Sequence, residues 1–437
     1  MNRHSDDEGV HPRVLVISNN CFSSTGSNGR TLQDLFSGWP ISNLAQFFIW
    51  PESPDSPVCN KYFLVTDREA LKSVWSRSAP VGRSIAVDSG ESGVSTAGQS
   101  GRRIRKTPTT SLARHAVWSL GSWRHRGFMS WVEAFDPHVV FLLAGDAPFL
   151  FALARRLSLT LGIPLVIMSN EDYYFKTRNY MPDSQSSLLS LMFRAFMRIL
   201  RRQARLAFAV ASIGVFNSDG LRRVHEDAYG VQGVTVMPPT TLKPGVEIGR
   251  SPDVTFAYLG NLGHGRHVSI IEVGAALQRL NPELHLDVYG RTLNENVLSD
   301  LQNSPGIRYK GVVPYDEVVS IMHRAHVLVH AESFLERHRS QIKYAFSTKL
   351  ADYMASGACP LIYAPPELWL TRYLRETGAA AVVSDPNDLE RTLDRLISSE
   401  AERSRYAKQA LMVAARSHSF EGNIDRFQVV LREVVSG

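Results

Sequence analysis

The chain has few cysteines and no long apolar run. Its 437 residues include only Cys21, Cys59 and Cys359, too few and too scattered for a disulfide framework or a cysteine-based zinc site. No stretch approaches the roughly 18 consecutive apolar residues that a membrane-spanning helix requires. Residues 1–12 are polar and lack the apolar segment of a signal peptide. We therefore expect a cytoplasmic protein with a flexible N-terminus over 1–12.

Acidic residues are missing from one long segment. Between residues 92 and 132 there is no Asp or Glu but there are seven Lys and Arg, more than the whole net charge of +6. The Ser, Gly and Thr content of 88–110 predicts a mobile, solvated insertion over about 88–131. The tryptophans and arginines that follow make peripheral contact with a membrane through 102–131 the alternative. Nucleic-acid binding is disfavoured, because the charge outside this segment is near neutral.

The chain is rich in short apolar runs that alternate with helical segments. Such runs are typical of parallel sheets covered on both faces. A stretch rich in Pro, Gly and Thr at 237–253 separates two series of runs. We predict an α/β fold with two Rossmann-like parallel-sheet domains that face each other across a cleft. The predicted strands are 13–18, 47–50, 62–66, 139–145, 164–170 and 212–218, then 254–260, 284–290, 307–312, 327–333, 359–365 and 379–383.

The segment FSTKLADYMASGACPLIYAP, residues 346–365, predicts a short helix and then a strand. Ser347 suits the N-cap position, and Gly357 suits the left-handed residue after the helix. Leu350 and Met354 are four residues apart, so we expect both to face the core.

A second face of this helix carries charge. Lys349 and Asp352 are three residues apart, and Ser347 and Thr348 precede them at the helix start. A helix N-terminus with a lysine favours a phosphate. A carboxylate one turn further on can accept hydrogen bonds from paired hydroxyls such as those of a ribose. The order matches a nucleoside diphosphate, although a solvated ion pair on an amphipathic helix is the alternative.

Glycine-rich loops follow the first strand of each series. In YLGNLGHGR, residues 258–266, Gly263 and its neighbours let a ligand approach the backbone, and Arg266 stands at the start of the next helix. The spacing fits neither a dinucleotide fingerprint nor a P-loop, so a plain tight turn is the alternative. In the loop of the first series, Gly26 and Gly29 could admit a donor phosphate or an acceptor, or belong to an ordinary surface loop.

Acidic residues end two strands of the first series. Asp146 follows one strand, and Glu171 and Asp172 follow the next. Carboxylates at the carboxyl ends of parallel strands could orient or deprotonate an acceptor hydroxyl. Asp146 and Asp172 could each instead cap a helix.

Together these motifs resemble the retaining, nucleotide-sugar-dependent glycosyltransferases of the GT-B fold, in the group called glycosyltransferase family 4. The segments that carry the resemblance are YLGNLGHGR, GIRYKGVVPYDEVVSIMHRAHVLVHAES and STKLADYMASGACPLI. The resemblance implies an acceptor domain over 13–240 and a nucleotide-sugar domain over 241–418. SFEGNIDRFQVVLREVV is similar to the family's final helix, which would cross back to the first domain over 419–437.

The resemblance implies transfer of a sugar from a nucleotide diphosphate to an acceptor hydroxyl, with retention and without a metal or other cofactor. Arg266 and Lys349 would hold the departing diphosphate, and Asp352, where the family usually has Glu, would hold the ribose. The family's other Glu corresponds to Tyr344 here. A sugar-nucleotide epimerase of the same architecture and a non-catalytic binding module are the alternatives.

The resemblance also bears on partners and place in the cell. It implies a nucleotide-sugar donor and a sugar, glycolipid or lipid-linked acceptor, with a role in polysaccharide or glycolipid biosynthesis. If the protein contacts a membrane, the expected location is the membrane's inner, cytoplasmic face. Residues 190–210 mix Phe, Leu and Met with five arginines and could lie on a membrane surface. The family has a comparable basic helix, which favours ordinary packing.

Overall fold

The structure, a computed structural model, divides into two compact units. Unit 1 comprises residues 1–236 and 424–437, and unit 2 comprises Met237–Asn423. The predicted domain boundaries at 240 and 418 lie close to these limits. The structure describes residues 11–24, 27–76, 81–86, 106–121, 123, 126–177, 180–181, 186–243, 252–292, 294–339 and 342–436.

The sheet of unit 1 is built from strands that are β1 (Val14–Ser18), β2 (Leu44–Phe48), β3 (Lys61–Leu64), β4 (Arg83–Ala86), β5 (Val139–Ala144), β6 (Leu165–Ser169), β7 (Ile213–Phe216) and β8 (Gly233–Thr235). Among the described residues their spatial order is β4-β3-β2-β1-β5-β6-β7-β8. All neighbours are parallel except β3 and β4, which run antiparallel. The order reverses between β1 and β5, which makes this pair the topological switch point of the sheet.

Helices cover the sheet of unit 1. They are α1 (Ser27–Leu35), α2 (Asp67–Trp75), α3 (Pro108–Leu120), α4 (Arg126–Phe135), α5 (Pro148–Leu161), α6 (Ser187–Phe208) and α7 (Asp219–Tyr229). The strands β1, β2, β5 and β6 are buried along their whole length, as expected for a sheet with helices on both faces. In the part of the chain that the structure describes, none of the helices has the length and hydropathy needed to cross a membrane.

The described part of the predicted insertion is packed structure. Residues 88–105 lie outside the described residues, but α3 and α4 follow them. Trp118 and Trp123 are only 1% and 2% exposed. Trp118 stacks on Phe149 at 4.5 Å between ring centroids, and Trp123 stacks on Phe47 at 5.6 Å. A mobile, solvated segment and a membrane contact are therefore both wrong for these two side chains, which pack in the core as large aromatic rings usually do.

The sheet of unit 2 is built from strands that are β9 (Phe256–Leu259), β10 (Leu286–Tyr289), β11 (Ile307–Gly311), β12 (Val327–Ala331), β13 (Cys359–Tyr363) and β14 (Ala381–Val383). Within the described residues the order is β11-β10-β9-β12-β13-β14, with all neighbours parallel. Its topological switch point therefore lies between β9 and β12. All the predicted strands of both series are confirmed, whereas β4 and β8 were not predicted.

The later helices are α8 (Arg266–Leu280), α9 (Glu295–Asn303), α10 (Tyr315–Arg324), α11 (Glu336–Arg339), α12 (Lys349–Ala355), α13 (Trp369–Thr377), α14 (Leu389–Ser398), α15 (Glu400–Ser417) and α16 (Phe420–Ser436). From Ile424 onward α16 belongs to unit 1. There Phe427 is fully buried, with its ring 5.2 Å from that of Phe36 and 5.4 Å from that of Phe141.

Candidate active site

Polar side chains converge at the switch point of unit 2. Strand β9 ends at Leu259 and is followed by Gly260, and the adjacent β12 ends at Ala331 and is followed by Glu332. Because the two strands are parallel neighbours, their carboxyl ends lie side by side. In open α/β sheets this is the edge at which ligands bind.

Arg266 and Glu332 form a two-pronged ion pair at this edge. The Arg266 Nε donates to Glu332 Oε2 at 2.7 Å, and Nη2 donates to Oε1 at 2.9 Å. The side chain of Glu332 is 1% exposed, and that of Arg266 is 13% exposed. Burial alone would raise the pKa of Glu332, but the Arg266 charge and His330 lower it to about 2. Glu332 is therefore ionised and fixes the plane of the guanidinium.

His330 supports the same carboxylate from β12. Its Nε2 lies 3.1 Å from Glu332 Oε1, and its side chain is completely buried. Burial lowers the pKa of His330 to about 4, so this histidine is neutral near pH 7. Glu332, packed against His330, holds Arg266 in one orientation at the start of α8.

Lys349, at the start of α12, brings a second cation to this edge. Its Nζ donates to the Leu259 carbonyl at 3.2 Å and lies 4.1 Å from the centroid of the Tyr258 ring. Burial and the nearby Arg266 charge lower the pKa of Lys349 to about 7.

Gly260 makes room for Lys349. It has φ +143°, and a Cβ built there would lie 2.8 Å from the Lys349 Nζ. Any other residue would be strained in the backbone and would press on the ammonium group. The backbone conformation therefore favours glycine at this position, and a larger residue would displace the Lys349 ammonium group.

The balance of charge favours an anion at this edge. Arg266 and Lys349 bring two basic groups to this edge, the Glu332 carboxylate pairs with one of them, and the first turn of α8 carries no acidic residue. Gly265, the N-cap of the 15-residue α8, makes no side-chain cap hydrogen bond, and the positive end of the helix dipole lies at this edge. A phosphate group is the ligand that such an arrangement attracts.

The helix of the FSTKLADYMASG segment begins later than predicted. Thr348 is the residue before α12 and makes no side-chain cap hydrogen bond. Ser347 contributes its backbone carbonyl, which accepts from the Leu350 N–H at 3.0 Å. The prediction of Ser347 as the N-cap is therefore wrong. The left-handed Gly357, at φ +79°, and the complete burial of Leu350 and Met354 are confirmed.

Asp352 lies one turn after Lys349 on α12 and is partly exposed. Its Oδ1 accepts a hydrogen bond from Thr240 Oγ1 at 2.6 Å, which ties α12 to the first residues of unit 2. In the loop before α8, Gly263 is exposed and donates its N–H to Asn261 Oδ1 at 2.7 Å. Asp352 thus shares α12 with Lys349, and Gly263 precedes Arg266 in the β9–α8 loop.

In unit 1, Asp146 follows β5 and sits among cationic and phenolic groups. It forms an ion pair with Lys106, and the Tyr180 hydroxyl donates to its Oδ2 at 3.1 Å. Ala147, not Asp146, is the N-cap of α5, without a side-chain cap bond. The alternative that Asp146 caps a helix is therefore wrong.

Asp172, after β6, is 2% exposed, and its Oδ1 lies 3.6 Å from the Nζ of the equally buried Lys176. Burial raises the pKa of Asp172 to about 7, although the Lys176 charge opposes the rise. Asp172 precedes a short 3-10 helix but makes no side-chain cap bond, so the capping alternative is wrong here too. Its neighbour Glu171 is partly exposed.

Gly26 and Gly29 are the two glycines that the sequence predicts in a candidate ligand-binding loop after β1. Gly26 lies outside the described residues. A Cβ at Gly29 would lie 2.6 Å from both the Cys21 carbonyl oxygen and the Ser23 Cβ. The close approach of the loop to α1 accounts for this glycine without any ligand. Across the described residues, no three His, Cys, Asp or Glu side chains group in a way that could hold a metal ion.

Sequence reasoning missed the roles of Glu332 and His330. No local motif connects either residue to Arg266. The available signal was the polar pair in VLVHAES, at the end of an otherwise apolar strand. Pairing that strand with β9 would have required the sheet order, which depends on contacts distant in sequence.

The comparisons with known proteins agree with this architecture. Residues 272–428 match a protein family described as glycosyl transferase-like. No curated protein matches the chain in sequence.

Among solved structures, sucrose-phosphate synthase from Thermosynechococcus elongatus superposes with a TM-score of 0.62 at 12% identity, over 97% of this chain and 99% of the other. HepE from Anabaena, solved with UDP, gives 0.61 at 9% identity over 96% and 100%. The UDP-forming α,α-trehalose-phosphate synthase from Burkholderia xenovorans, solved with glucose-6-phosphate, gives 0.56 at 10% identity over 96% and 100%. The chain thus has the two-domain α/β fold of GT-B glycosyltransferases, and its match to a glycosyl transferase-like family over 272–428 supports a transferase.

Proposed function

We propose that the chain transfers a sugar from a nucleoside diphosphate to an acceptor hydroxyl, and that unit 2 binds the donor at the carboxyl ends of β9 and β12. The observation that carries this proposal is the convergence of Arg266 and Lys349 beside the N-terminus of α8. Two basic side chains and the positive end of a helix dipole favour an anionic group such as a diphosphate.

In the proposed reaction the bond between the sugar and the diphosphate breaks, and the diphosphate leaves with the electron pair. Negative charge then grows on the leaving oxygen, where Arg266 and Lys349 would stabilise it. Because Glu332 already holds the guanidinium in place, little reorganisation would be needed as that charge develops. Removal of one such stabilising group typically lowers kcat by about 100- to 1000-fold.

Lys349 would act as a cation in the donor complex. Its pKa of about 7 without ligand means that a sizeable fraction is neutral near pH 7. An incoming diphosphate would favour the protonated form and raise that pKa. Binding would therefore be accompanied by proton uptake.

The other proposed donor-binding residues of unit 2 lie on α12 with Lys349, or in the loops just before α8 and α12. Asp352 would accept hydrogen bonds from the ribose hydroxyls, and Gly263, Ser347 and Thr348 would line the approach to the phosphates. UDP is the first donor nucleotide to test, since HepE was solved with UDP and with UDP-glucose.

The acceptor hydroxyl must lose a proton as the new glycosidic bond forms. Asp146, Glu171 and Asp172 of unit 1 are the proposed candidates for its base. A carboxyl group with a pKa near the working pH exchanges protons most effectively, which favours Asp172 among them. Retention, independence from metal ions and an acceptor from polysaccharide or glycolipid synthesis are proposed from the family resemblance.

The test is release of free nucleoside diphosphate from UDP-sugars in the presence and absence of sugar and glycolipid acceptors. We expect release to depend on an acceptor, to survive EDTA, and to fall at least 100-fold in Lys349→Met. Lys408→Met, at an exposed lysine of unit 2, is the matched control and should keep full activity.

The anomeric configuration of the product, read by NMR, tests retention. Interconversion of the donor without an acceptor would instead identify an epimerase. Nucleotide binding without any turnover would identify a binding module.

A further inference from the structure

Helix α6 of unit 1 has two faces of different character. One face packs into the core, and the side chains that are buried there are Phe193, Phe196, Met197, Leu200, Ala204, Ala207 and Phe208. The opposite face is exposed for the full 22 residues of the helix. At 1.5 Å per residue this exposed face is about 33 Å long.

The exposed face combines arginines with leucines. Arg194, Arg198, Arg202 and Arg205 are exposed, and they follow one another at intervals of three or four residues. At that spacing they lie on one side of the helix. Three leucines share this side and are strongly exposed, namely Leu188 at 66%, Leu191 at 52% and Leu206 at 37%.

The adjacent helix α5 carries exposed side chains of the same two kinds. It packs against α6 and adds the exposed Arg156 and Leu159, of which Leu159 is 57% exposed. Neither helix contains an Asp or Glu along its whole length. We call this basic and apolar surface, formed by the exposed side chains of α5 and α6, the α5–α6 face.

We propose that the α5–α6 face docks on an anionic lipid surface, with α6 lying parallel to it. The arginines would pair with acidic headgroups, and the leucines would enter the boundary between headgroups and acyl chains. A helix that carries basic and apolar side chains on its outward side is suited to this interface. The inference is independent of the donor site in unit 2.

The leucines decide between a lipid surface and a nucleic acid. Binding to a phosphate backbone uses arginines but gives an exposed leucine no partner. At a bilayer the same leucines gain by leaving water. The absence of acidic residues from both helices removes the local repulsion that an anionic surface would otherwise meet.

The test is sedimentation of the full chain with vesicles of phosphatidylcholine alone and of equal parts phosphatidylcholine and phosphatidylglycerol. We expect binding to the mixed vesicles only, with weakening as salt rises. Each arginine near such a surface strengthens binding by about fivefold, so the double variant Arg198→Gln/Arg202→Gln should bind about 30-fold more weakly. Leu188→Ser/Leu191→Ser should also bind more weakly, because it removes apolar contact without changing charge.

A matched control removes two exposed arginines from α15 in unit 2, as Arg405→Gln/Arg416→Gln. It should bind the mixed vesicles like the wild type, and all variants should keep the wild-type unfolding midpoint. The proposal is overturned if the wild type does not bind mixed vesicles, or if the α6 arginine variant binds no more weakly than the control. It is also overturned if the leucine variant binds vesicles normally, and binding of a single-stranded oligonucleotide would then identify a nucleic-acid surface.

Discussion

Replacement of Lys349 with Met should stabilise the folded protein while it abolishes nucleotide binding. Met has a similar length but no charge, so the space over the Tyr258 ring stays filled. Burial and Arg266 lower the pKa of Lys349 from 10.5 to about 7. Since one pKa unit corresponds to about 1.4 kcal/mol, charging this ammonium costs the folded state a few kcal/mol, with roughly 5 kcal/mol as the upper bound.

The gain in stability must depend on pH. In the unfolded chain a lysine keeps its proton up to about pH 10.5, whereas folded Lys349 loses its proton near pH 7. Between these values the folded protein binds fewer protons than the unfolded chain, so the stability of the wild type rises with pH. The cost is fully present below pH 7, and the advantage of Lys349→Met is therefore largest there and vanishes towards about pH 10.5.

The assay is thermal unfolding of the wild type, Lys349→Met and Lys408→Met from about pH 6 to pH 10, with and without UDP. For a domain of this size, each kcal/mol raises the midpoint by roughly 2–4 °C. We expect Lys349→Met to unfold at a higher temperature at low pH and to gain nothing from UDP, and Lys408→Met to behave as the wild type. A midpoint at or below that of the wild type at about pH 6, or a gain that is the same at every pH, would refute the reasoning.

Three further changes around the same site have distinct expected results. Glu332→Ala should destabilise the protein by about 3–5 kcal/mol, because it removes the buried carboxylate that pairs with Arg266. Glu332→Gln should be more stable than Glu332→Ala in denaturant unfolding, but its nucleotide affinity should stay below that of the wild type. Equal stability of the two Glu332 variants would contradict this expectation. Gly260→Ala should lower the free energy of unfolding by roughly 1–3 kcal/mol, because of the φ of +143° and the contact with Lys349. It should also weaken UDP binding in calorimetry. Wild-type affinity would show that the position of Lys349 does not affect binding. Asp352→Asn should weaken binding of UDP more than that of inorganic pyrophosphate, since only UDP has a ribose; an equal loss for both ligands would place Asp352 elsewhere.

The strand pattern was predictable because it depends on local apolar runs. The predicted strands of both series match β1–β3, β5–β7 and β9–β14, whose side chains are mostly buried. The two missed strands have weaker signals. Strand β4, RSIA, is a short antiparallel edge strand, and β8, GVT, has only three residues.

The insertion shows where composition misleads. The high Ser, Gly and Thr content of 88–110 predicts mobility for the whole insertion over about 88–131. The neighbouring tryptophans behave differently, because Trp118 and Trp123 each find an aromatic partner in the core of unit 1. The burial of the two tryptophans depends on packing against residues distant in sequence, and no local sequence pattern predicts that packing.

The candidate site was predictable only in part, because some of its residues lie in local motifs and others depend on the sheet order. Arg266 and Lys349 were selected from local motifs, since each stands at the start of a helix after a recognisable loop. Their partners Glu332 and His330 depend on the adjacency of β9 and β12, which are separated by two other strands along the chain. The lowered pKa of Lys349 likewise arises from burial and from Arg266, which are properties of the folded unit.

The most direct test of the donor site is the shift in unfolding midpoint caused by UDP, GDP and ADP. A nucleotide present at 100 times its dissociation constant stabilises the folded state by about 2.7 kcal/mol. We predict that one of the three raises the midpoint of the wild type, and that Arg266→Ala and Asp352→Ala lose the shift while Lys408→Met keeps it. If none of the nucleotides stabilises the folded wild type, or if the two site variants respond as strongly as the wild type, no nucleoside diphosphate binds at Arg266 and Lys349.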